Sequence, residues 1–298
     1  MLVWLNGRWL RAADARVPAL DRGLLHGDGL YDTWRTYDGV PFAVAAHVRR
    51  LAAAARVLRL PPPGPAALWE RRARQLAARN GLRDAAVRLT LTRGAAGEFL
   101  VPERRTPPTR LLTIRPLPST LAAQRARGIG VVLLPFPRDA AAPWGALKLV
   151  GHASAVVGRL LARRHGAHEG LYVTAGGEVT EATTANLFLV ERGRLVTPAA
   201  AGNLLSGVTR DFVLRLARRA GLVVREERVA AGRLRRAHEV FLTASTIEIM
   251  PVVRLDGRRV ATGRPGPITQ ALQAGYRAAV GVTLSHARVS RARIAGSR

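Results

Sequence analysis

Trp144-Gly145-Ala146-Leu147-Lys148-Leu149-Val150-Gly151-His152 holds the only lysine of a 298-residue chain. The rest of its 47 basic residues are arginine. The two cations differ in one respect that matters for chemistry. An arginine keeps its proton in any protein setting, whereas a desolvated lysine amine can lose its proton and attack a carbonyl. A Schiff-base lysine is therefore a position that arginine cannot fill. The neighbours of Lys148 are mostly apolar, as desolvation of an amine requires. Chance survival of one surface lysine is the competing reading.

The chain is long enough for two domains, and with 48% hydrophobic residues it can bury a sizeable core. No run of 18 or more apolar residues occurs, and the first residues lack the basic-then-apolar order of a signal peptide. Cysteine is absent, which removes disulfides, thiolate metal sites and Cys nucleophiles. A cytoplasmic protein is the expectation. The net charge of +27 invites a nucleic-acid reading. However, the arginines are spread over the whole chain, and aromatics make up only 5%. A basic nucleic-acid-binding protein is therefore a remote alternative, while the field favours anionic substrates and cofactors.

Outward from Lys148, the periodicity predicts alternating strands and helices. Asn6-Gly7 marks a hairpin between Leu2–Leu5 and Trp9-Leu10. A strand over Leu30–Tyr37 puts Tyr31, Thr33, Arg35 and Tyr37 on one face. Helices are expected at His47–Leu60, stopped by Pro61-Pro62-Pro63, and at Ala66–Arg79, closed by Asn80-Gly81. Strands follow at Ala86–Thr92 and Arg110–Arg115. In the second half, strands are expected at Ile129–Phe136, Gly170–Thr174, Asn186–Val190, Leu222–Arg225 and Glu239–Thr243. Helices are expected at Gly151–His165 and Thr209–Ala220. The pattern reads as an α/β (α+β) protein. It has a small N-terminal α/β domain over 1–115, a connection over 116–127, and a larger, β-rich C-terminal domain over 128–283. A basic tail, expected to be flexible, covers 284–298.

Several chemistries lack their motifs. No G-x-G-x-x-G opens a helix, no Gly-Lys-Ser/Thr exists for a P-loop, and Ser154 lacks a nucleophile elbow. His165, His168 and Glu169 match no standard metal spacing, so no metal is expected.

Pyridoxal phosphate requires a lysine for its aldehyde, a partner for its ring nitrogen and a phosphate cradle. Beside Lys148, the segment Gly177–Phe188 carries Glu181, a candidate for the ring nitrogen; a solvated turn carboxylate is the alternative. Leu205-Ser206-Gly207-Val208-Thr209-Arg210 leads into a helix, and its small residues can offer free backbone N–H groups to an anion. Thr243-Ala244-Ser245-Thr246 follows a strand with hydroxyls beside amides, and Arg50 can add a charge-assisted contact.

These pieces resemble the class IV, fold-type IV pyridoxal-phosphate aminotransferases, a group that includes branched-chain and D-amino acid aminotransferases and aminodeoxychorismate lyases. The resemblance rests on Gly27-Asp28-Gly29-Leu30-Tyr31, His47-Val48-Arg49-Arg50-Leu51, Lys148, Glu181–Phe188, Gly207-Val208-Thr209-Arg210 and Glu239-Val240-Phe241 through Ser245 to Pro251, in family order. It implies a homodimer with the cofactor between two domains. It also implies Lys148 as Schiff-base lysine, Glu181 as ring-nitrogen partner and Arg50 as phosphate ligand. Gly207, Val208, Thr209, Ala244 and Ser245 would form the phosphate cup, and Tyr31, Thr33 and Arg35 would line the substrate pocket. The implied reaction moves an amino group between an amino acid or amine and a 2-oxo acid; elimination of pyruvate by a lyase is the alternative. The chain departs from the family pattern in places. Glu98 and Leu100 follow Thr92-Arg93-Gly94 where a D-amino acid enzyme carries its carboxylate trap, and Gly151-His152 stands where an Asn is common. The glycine-rich substrate loop of branched-chain enzymes is not recognisable. Arg35 and Arg88 remain as candidate carboxylate contacts.

Overall fold

The computed structural model describes residues 1–97, 99–102, 106–137, 144–200 and 204–295, with only the backbone from 282 onward. The chain divides into two compact units. The first comprises Met1–Leu117, Leu147–Gly151 and Val280–Arg298, the second Pro118–Ala146 and His152–Ala279.

In the first unit β1 (Leu2–Leu5) and β2 (Arg8–Arg11) form the expected hairpin. Asn6 and Gly7 both have positive φ, as a two-residue turn matched to strand twist requires. There follow α1 (Arg22–Leu25), β3 (Gly29–Tyr37), β4 (Val40–Pro41), α2 (Val44–Val57), α3 (Ala66–Arg79), β5 (Ala85–Thr92) and β6 (Thr109–Pro116). The strands make an antiparallel sheet in the order β2-β1-β6-β5-β3-β4. Alternation along β3 splits its residues between two environments. Leu30 and Trp34 join Leu51, Trp69, Leu76 and Leu89 in the core under α2 and α3. Each of these leucines, fully buried, contributes about 1.5–3 kcal/mol over exposure. Tyr31, Thr33, Arg35 and Tyr37 occupy the opposite face. Asn80 stops α3 as anticipated; its side chain donates to the Leu76 and Leu2 carbonyls (2.9 and 3.1 Å) and accepts from the Leu2 N–H (2.7 Å).

Residues Leu147–Gly151 add to this sheet rather than to the C-terminal domain that their sequence position suggests. Leu149 bridges Leu30 in antiparallel fashion, the Tyr31 N–H donates to the Lys148 carbonyl (2.9 Å), and the Val150 N–H donates to the Gly29 carbonyl (3.0 Å).

The second unit begins with α4 (Leu121–Arg127), a helix packed on a later strand within the stretch expected to be a connection. It continues with β7 (Ile129–Leu133), α5 (Ala153–Arg164), β8 (Glu169–Val173), β9 (Glu178–Ala182), β10 (Asn186–Glu191), β11 (Arg194–Pro198), α6 (Val208–Arg219), β12 (Val224–Glu227) and β13 (Val229–Ala230). Last come α7 (Ala231–Leu234), β14 (Glu239–Ala244), β15 (Glu248–Leu255), β16 (Arg258–Arg259) and α8 (Pro267–Ala295). β7 ends before Pro135, which has no N–H to give a ladder. The sheet runs β12-β11-β10-β14-β15-β7-β8-β9-β13, and β9 also pairs with β10 through Glu181 and Asn186. That pairing closes β10-β14-β15-β7-β8-β9 into a ring. The residues 284–295, expected to be a flexible tail, continue α8; no Gly or Pro lies between Gly281 and Gly296 to interrupt it.

Candidate active site

In the first unit Lys148 is half-buried beside β3, and its Nζ lies 4.6 Å from the centre of the Tyr31 ring. The Arg88 guanidinium lies 3.7 Å from the centre of the same ring. Such cation–ring contacts stabilise by about 0.5–2 kcal/mol, more as water is excluded. Arg88 sits on β5 opposite Thr33 and donates to Thr90 Oγ1 (3.2 Å). Burial pulls its pKa below the ordinary arginine value, opposed by Tyr31 and assisted by the neighbouring charge of Arg115. No ion pair holds it among the described residues, so its charge is available to an anion. Arg35, two positions further along the same face, is committed elsewhere. Its guanidinium lies 4.3 Å from the Tyr37 ring centre and 3.6 Å from Asp84.

On the core face of β3 a charged residue stands between Leu30 and Trp34. Asp32 is 1% exposed and accepts a fork from Arg50, Nε to Oδ2 at 2.9 Å and Nη2 to Oδ1 at 2.7 Å. His47 Nδ1 lies 2.8 Å from Asp32 Oδ1. Burial alone raises the Asp32 pKa, but the charges of Arg50 and His47 and their hydrogen bonds outweigh it and hold the carboxyl far below its usual range. His47 is held below its usual value, chiefly by burial, against the pull of Asp32. Arg50 stands out in the sequence, whereas its partners Asp32 and His47 are missed there. A carboxylate at an inward-facing strand position is the signal that exposes them, because a buried charge demands a partner.

In the second unit Glu181 is 3% exposed and lies in β9 itself, so it is not a solvated turn residue. Its Oε2 accepts from Asn186 Nδ2 (3.2 Å) and from the Leu205 N–H (3.3 Å). Register places Glu181, Asn186 and Thr243 in one row across β9, β10 and β14. Thr243 Oγ1 in that row is buried and makes no hydrogen bond among the described residues. Gly207 caps α6 without a side-chain bond, which leaves the Val208 and Thr209 end of the helix open to an anion. Thr209 Oγ1 and Ser245 Oγ come within 3.5 Å, so the turn before α6 and the turn after β14 meet. Ala244 ends β14 immediately before that second turn.

The donor set fits pyridoxal phosphate. The second unit offers two hydroxyls and an uncapped helix end for a phosphate, with a buried carboxylate in the same closed sheet for a ring nitrogen. The first offers the single amine. Glu98, the residue set against a D-amino acid carboxylate trap, lies outside the described residues.

The family model for amino-transferase class IV matches residues 29–255. The branched-chain-amino-acid aminotransferase of Escherichia coli K12 is 30% identical over 281 residues, covering 92% of this chain and 91% of its own. The D-alanine aminotransferase of Listeria monocytogenes is 32% identical over 276 residues, covering 91% and 93%. The solved branched-chain aminotransferase of Thermoproteus uzoniensis with norvaline superposes with a TM-score of 0.84 at 26% identity, covering 93% of each chain. A further solved branched-chain amino acid aminotransferase, with pyridoxamine 5′-phosphate, superposes with a TM-score of 0.86 at 28% identity, covering 94% and 93%.

Proposed function

The chain belongs to the class IV aminotransferases, and on that premise we propose that Lys148 is the residue through which it carries an amino group between an amino acid or amine and a 2-oxo acid. The observation that carries this reading is the isolation of one amine among arginines, tied by its backbone to β3 with its Nζ on the Tyr31 ring.

When bound, pyridoxal phosphate supplies an aldehyde for the amino group and a ring that draws charge from the substrate carbon. The protein's residues do the rest. Lys148 Nζ moves the proton that leaves the amine-bearing carbon. Glu181 holds a negative charge for the ring nitrogen. Val208, Thr209, Ala244 and Ser245 bind phosphate through amides and hydroxyls, and Gly207 allows their turn its close packing. Arg50, the phosphate ligand that the resemblance implies, is less suited to add charge because Asp32 occupies its Nε and Nη2. Arg88 binds the substrate carboxylate beside Tyr31 and Thr33, a role for which Arg35 is less suited because Tyr37 and Asp84 occupy it.

Borohydride reduction of the holoenzyme followed by peptide mapping tests the assignment. A phosphopyridoxyl group on the peptide that contains Lys148 supports it. Attachment only at the N-terminal amine, or no attachment, overturns it.

The protein also fits a homodimer. Helix α5 buries its small residues Ala155, Gly158 and Ala162 and exposes Val156, Val157 and Leu160. An amphipathic helix turned this way round has an apolar face left to cover, and a second copy of the chain is the partner we assign to it. Among the described residues no helix is long and apolar enough to cross a membrane.

A further inference from the structure

Asn186 occupies a position that neither the acid nor the phosphate turn can dispense with. It is 4% exposed on β10, in register with Glu181 on β9 and Thr243 on β14. Its Nδ2 donates to Glu181 Oε2 (3.2 Å) and to the Leu205 carbonyl (2.8 Å), so both amide protons are used. The Leu205 N–H returns to the same Glu181 oxygen at 3.3 Å. At the other end of the amide, Oδ1 lies where a side chain on Gly207 would have to start. A Cβ built there falls 1.9 Å from it. Gly207 is the residue that opens α6, and Thr209 follows in the first turn. One buried side chain thus touches the carboxylate, the loop at Leu205 and the residue that opens the helix.

The chemistry of the contact suits a carboxylate that must keep its charge. A guanidinium in this place would orient Glu181 but cancel the charge that a protonated ring nitrogen needs. An amide orients the carboxylate and leaves that charge in place. An aspartate of the same shape would lack the donors and set a second carboxylate against the first. A glycine at 207 is required by the same contact, since any Cβ would displace the amide oxygen.

We infer that Asn186 is a positioning residue that fixes the Glu181 carboxylate and the phosphate-binding turn at 205–209 in a single geometry, so that cofactor affinity and proton transfer both depend on it. The inference rests on the reading of Glu181 as the partner of the ring nitrogen for its catalytic half. Its binding half rests on the contacts to Leu205 and Gly207.

The experiment combines N186A and E181Q, singly and together. It reads kcat of the holoenzymes and the Kd of the apoproteins for pyridoxal phosphate by fluorescence titration, with apoprotein melting as the control for folding. N186A is expected to lower kcat by about tenfold in the wild-type background and by less than about twofold when Glu181 is already Gln, because Asn186 acts through that carboxylate. It is expected to raise the Kd for pyridoxal phosphate by about tenfold in both backgrounds, because the tie to the phosphate turn remains to be lost. Equal kcat losses in the two backgrounds overturn the positioning role, as a merely structural residue would act additively. An unchanged Kd in N186A overturns the binding half. If E181Q alone leaves kcat unchanged, the reading of Glu181 fails and the catalytic half of the inference fails with it, while the Kd of N186A still decides the binding half. Should N186A fail to fold, N186L is carried through the same cycle, since it approximates the side chain's shape and removes the donors without adding a charge.

Discussion

In the unit that carries Lys148, the buried carboxylate of Asp32 meets an imidazole at 2.8 Å and a guanidinium fork at 2.7 and 2.9 Å. In the unit that carries Glu181, that carboxylate meets an amide side chain at 3.2 Å and a peptide N–H at 3.3 Å. Both acids are buried on strands of antiparallel pairs, yet they are stabilised in different ways. Asp32 faces a guanidinium and has its charge neutralised where it sits, which suits a residue that fixes α2 to β3. Asn186 and the Leu205 N–H, both neutral donors, orient Glu181 without adding charge of their own, which suits a residue that must answer a cation from outside the protein. Burial alone therefore does not tell the two acids apart, and the donors that each receives must be read with it.

The comparison is sharpest at its extremes. Lys148→Arg keeps a cation next to Tyr31 but removes the only side-chain amine able to bond the aldehyde. Turnover should fall by more than roughly 10⁴-fold with the melting temperature unchanged, as measured by steady-state kinetics and circular dichroism. Residual turnover within tenfold of wild type would remove Lys148 from the mechanism. Arg50→Ala should do the reverse, harming the fold first. It strands the Asp32 carboxylate in the core, at a cost of about 3–5 kcal/mol read from urea unfolding of the apoprotein. If apoprotein stability is unchanged while cofactor is lost on dialysis, Arg50 belongs to the phosphate and not to Asp32. Glu181→Gln should leave the apoprotein as stable as wild type, because the amide still fits its neighbours, and slow turnover through about 2–4 kcal/mol of barrier. A large loss of stability instead would put Glu181 in the same class as Asp32.

How far the sequence discloses these residues follows from what each contact depends on. Lys148 is legible because its identity is unusual in the composition. The hairpin at Asn6-Gly7 and helix α3 with its Asn80 stop are legible because the signals are local. β9 shows in the sequence only as the stretch between two strands, because its ladder partners come from β8, β10 and β13 and no local pattern records them. Chain order puts segment Leu147–Gly151 with the second domain, while its hydrogen bonds run to Gly29 and Tyr31. Asn186 stands in the Glu181 segment without a legible role, since the role arises from register across β9 and β10. Asp32 is detectable in principle as a charge on the apolar face of a strand.

A smaller effect separates the two arginines that the sequence leaves as equals on β3 and β5. Arg88 lies on the ring that Lys148 also touches, and Arg35 lies against Tyr37 and Asp84. Arg88→Ala should lower kcat/KM for amino acids by about 1.5–3 kcal/mol in barrier terms, roughly ten- to 150-fold. Arg35→Ala should cost no more than about threefold. A simple amine without a carboxylate should scarcely register either change. The reverse ranking of the two variants would place the substrate carboxylate at the other end of the face.

The smallest effect concerns pH and the His47–Asp32 contact. His47 has a folded-state pKa below its ordinary value of 6.5, chiefly because burial disfavours the imidazolium, even though Asp32 pulls the other way. As pH falls below about 6.5, the unfolded chain takes up a proton at this histidine before the folded chain does. Protons then favour the unfolded state, so the contribution of His47 to stability is present above about pH 6.5 and is lost as pH falls toward the depressed folded value. Asp32 adds nothing in that window, because it is ionised in both states until the pH approaches the ordinary carboxylate range near about 4; its own contribution is lost below that. The two groups can thus be separated by pH alone. His47→Gln keeps a donor for Asp32 and removes the titration. Apoprotein melting of wild type should decline between about pH 7 and 5 more steeply than that of the variant, by at most a few degrees on the scale of one proton. Parallel curves would mean that the pull of Asp32 cancels the effect of burial on His47, and a wild type that gains on the variant as pH falls would make the contact an ion pair.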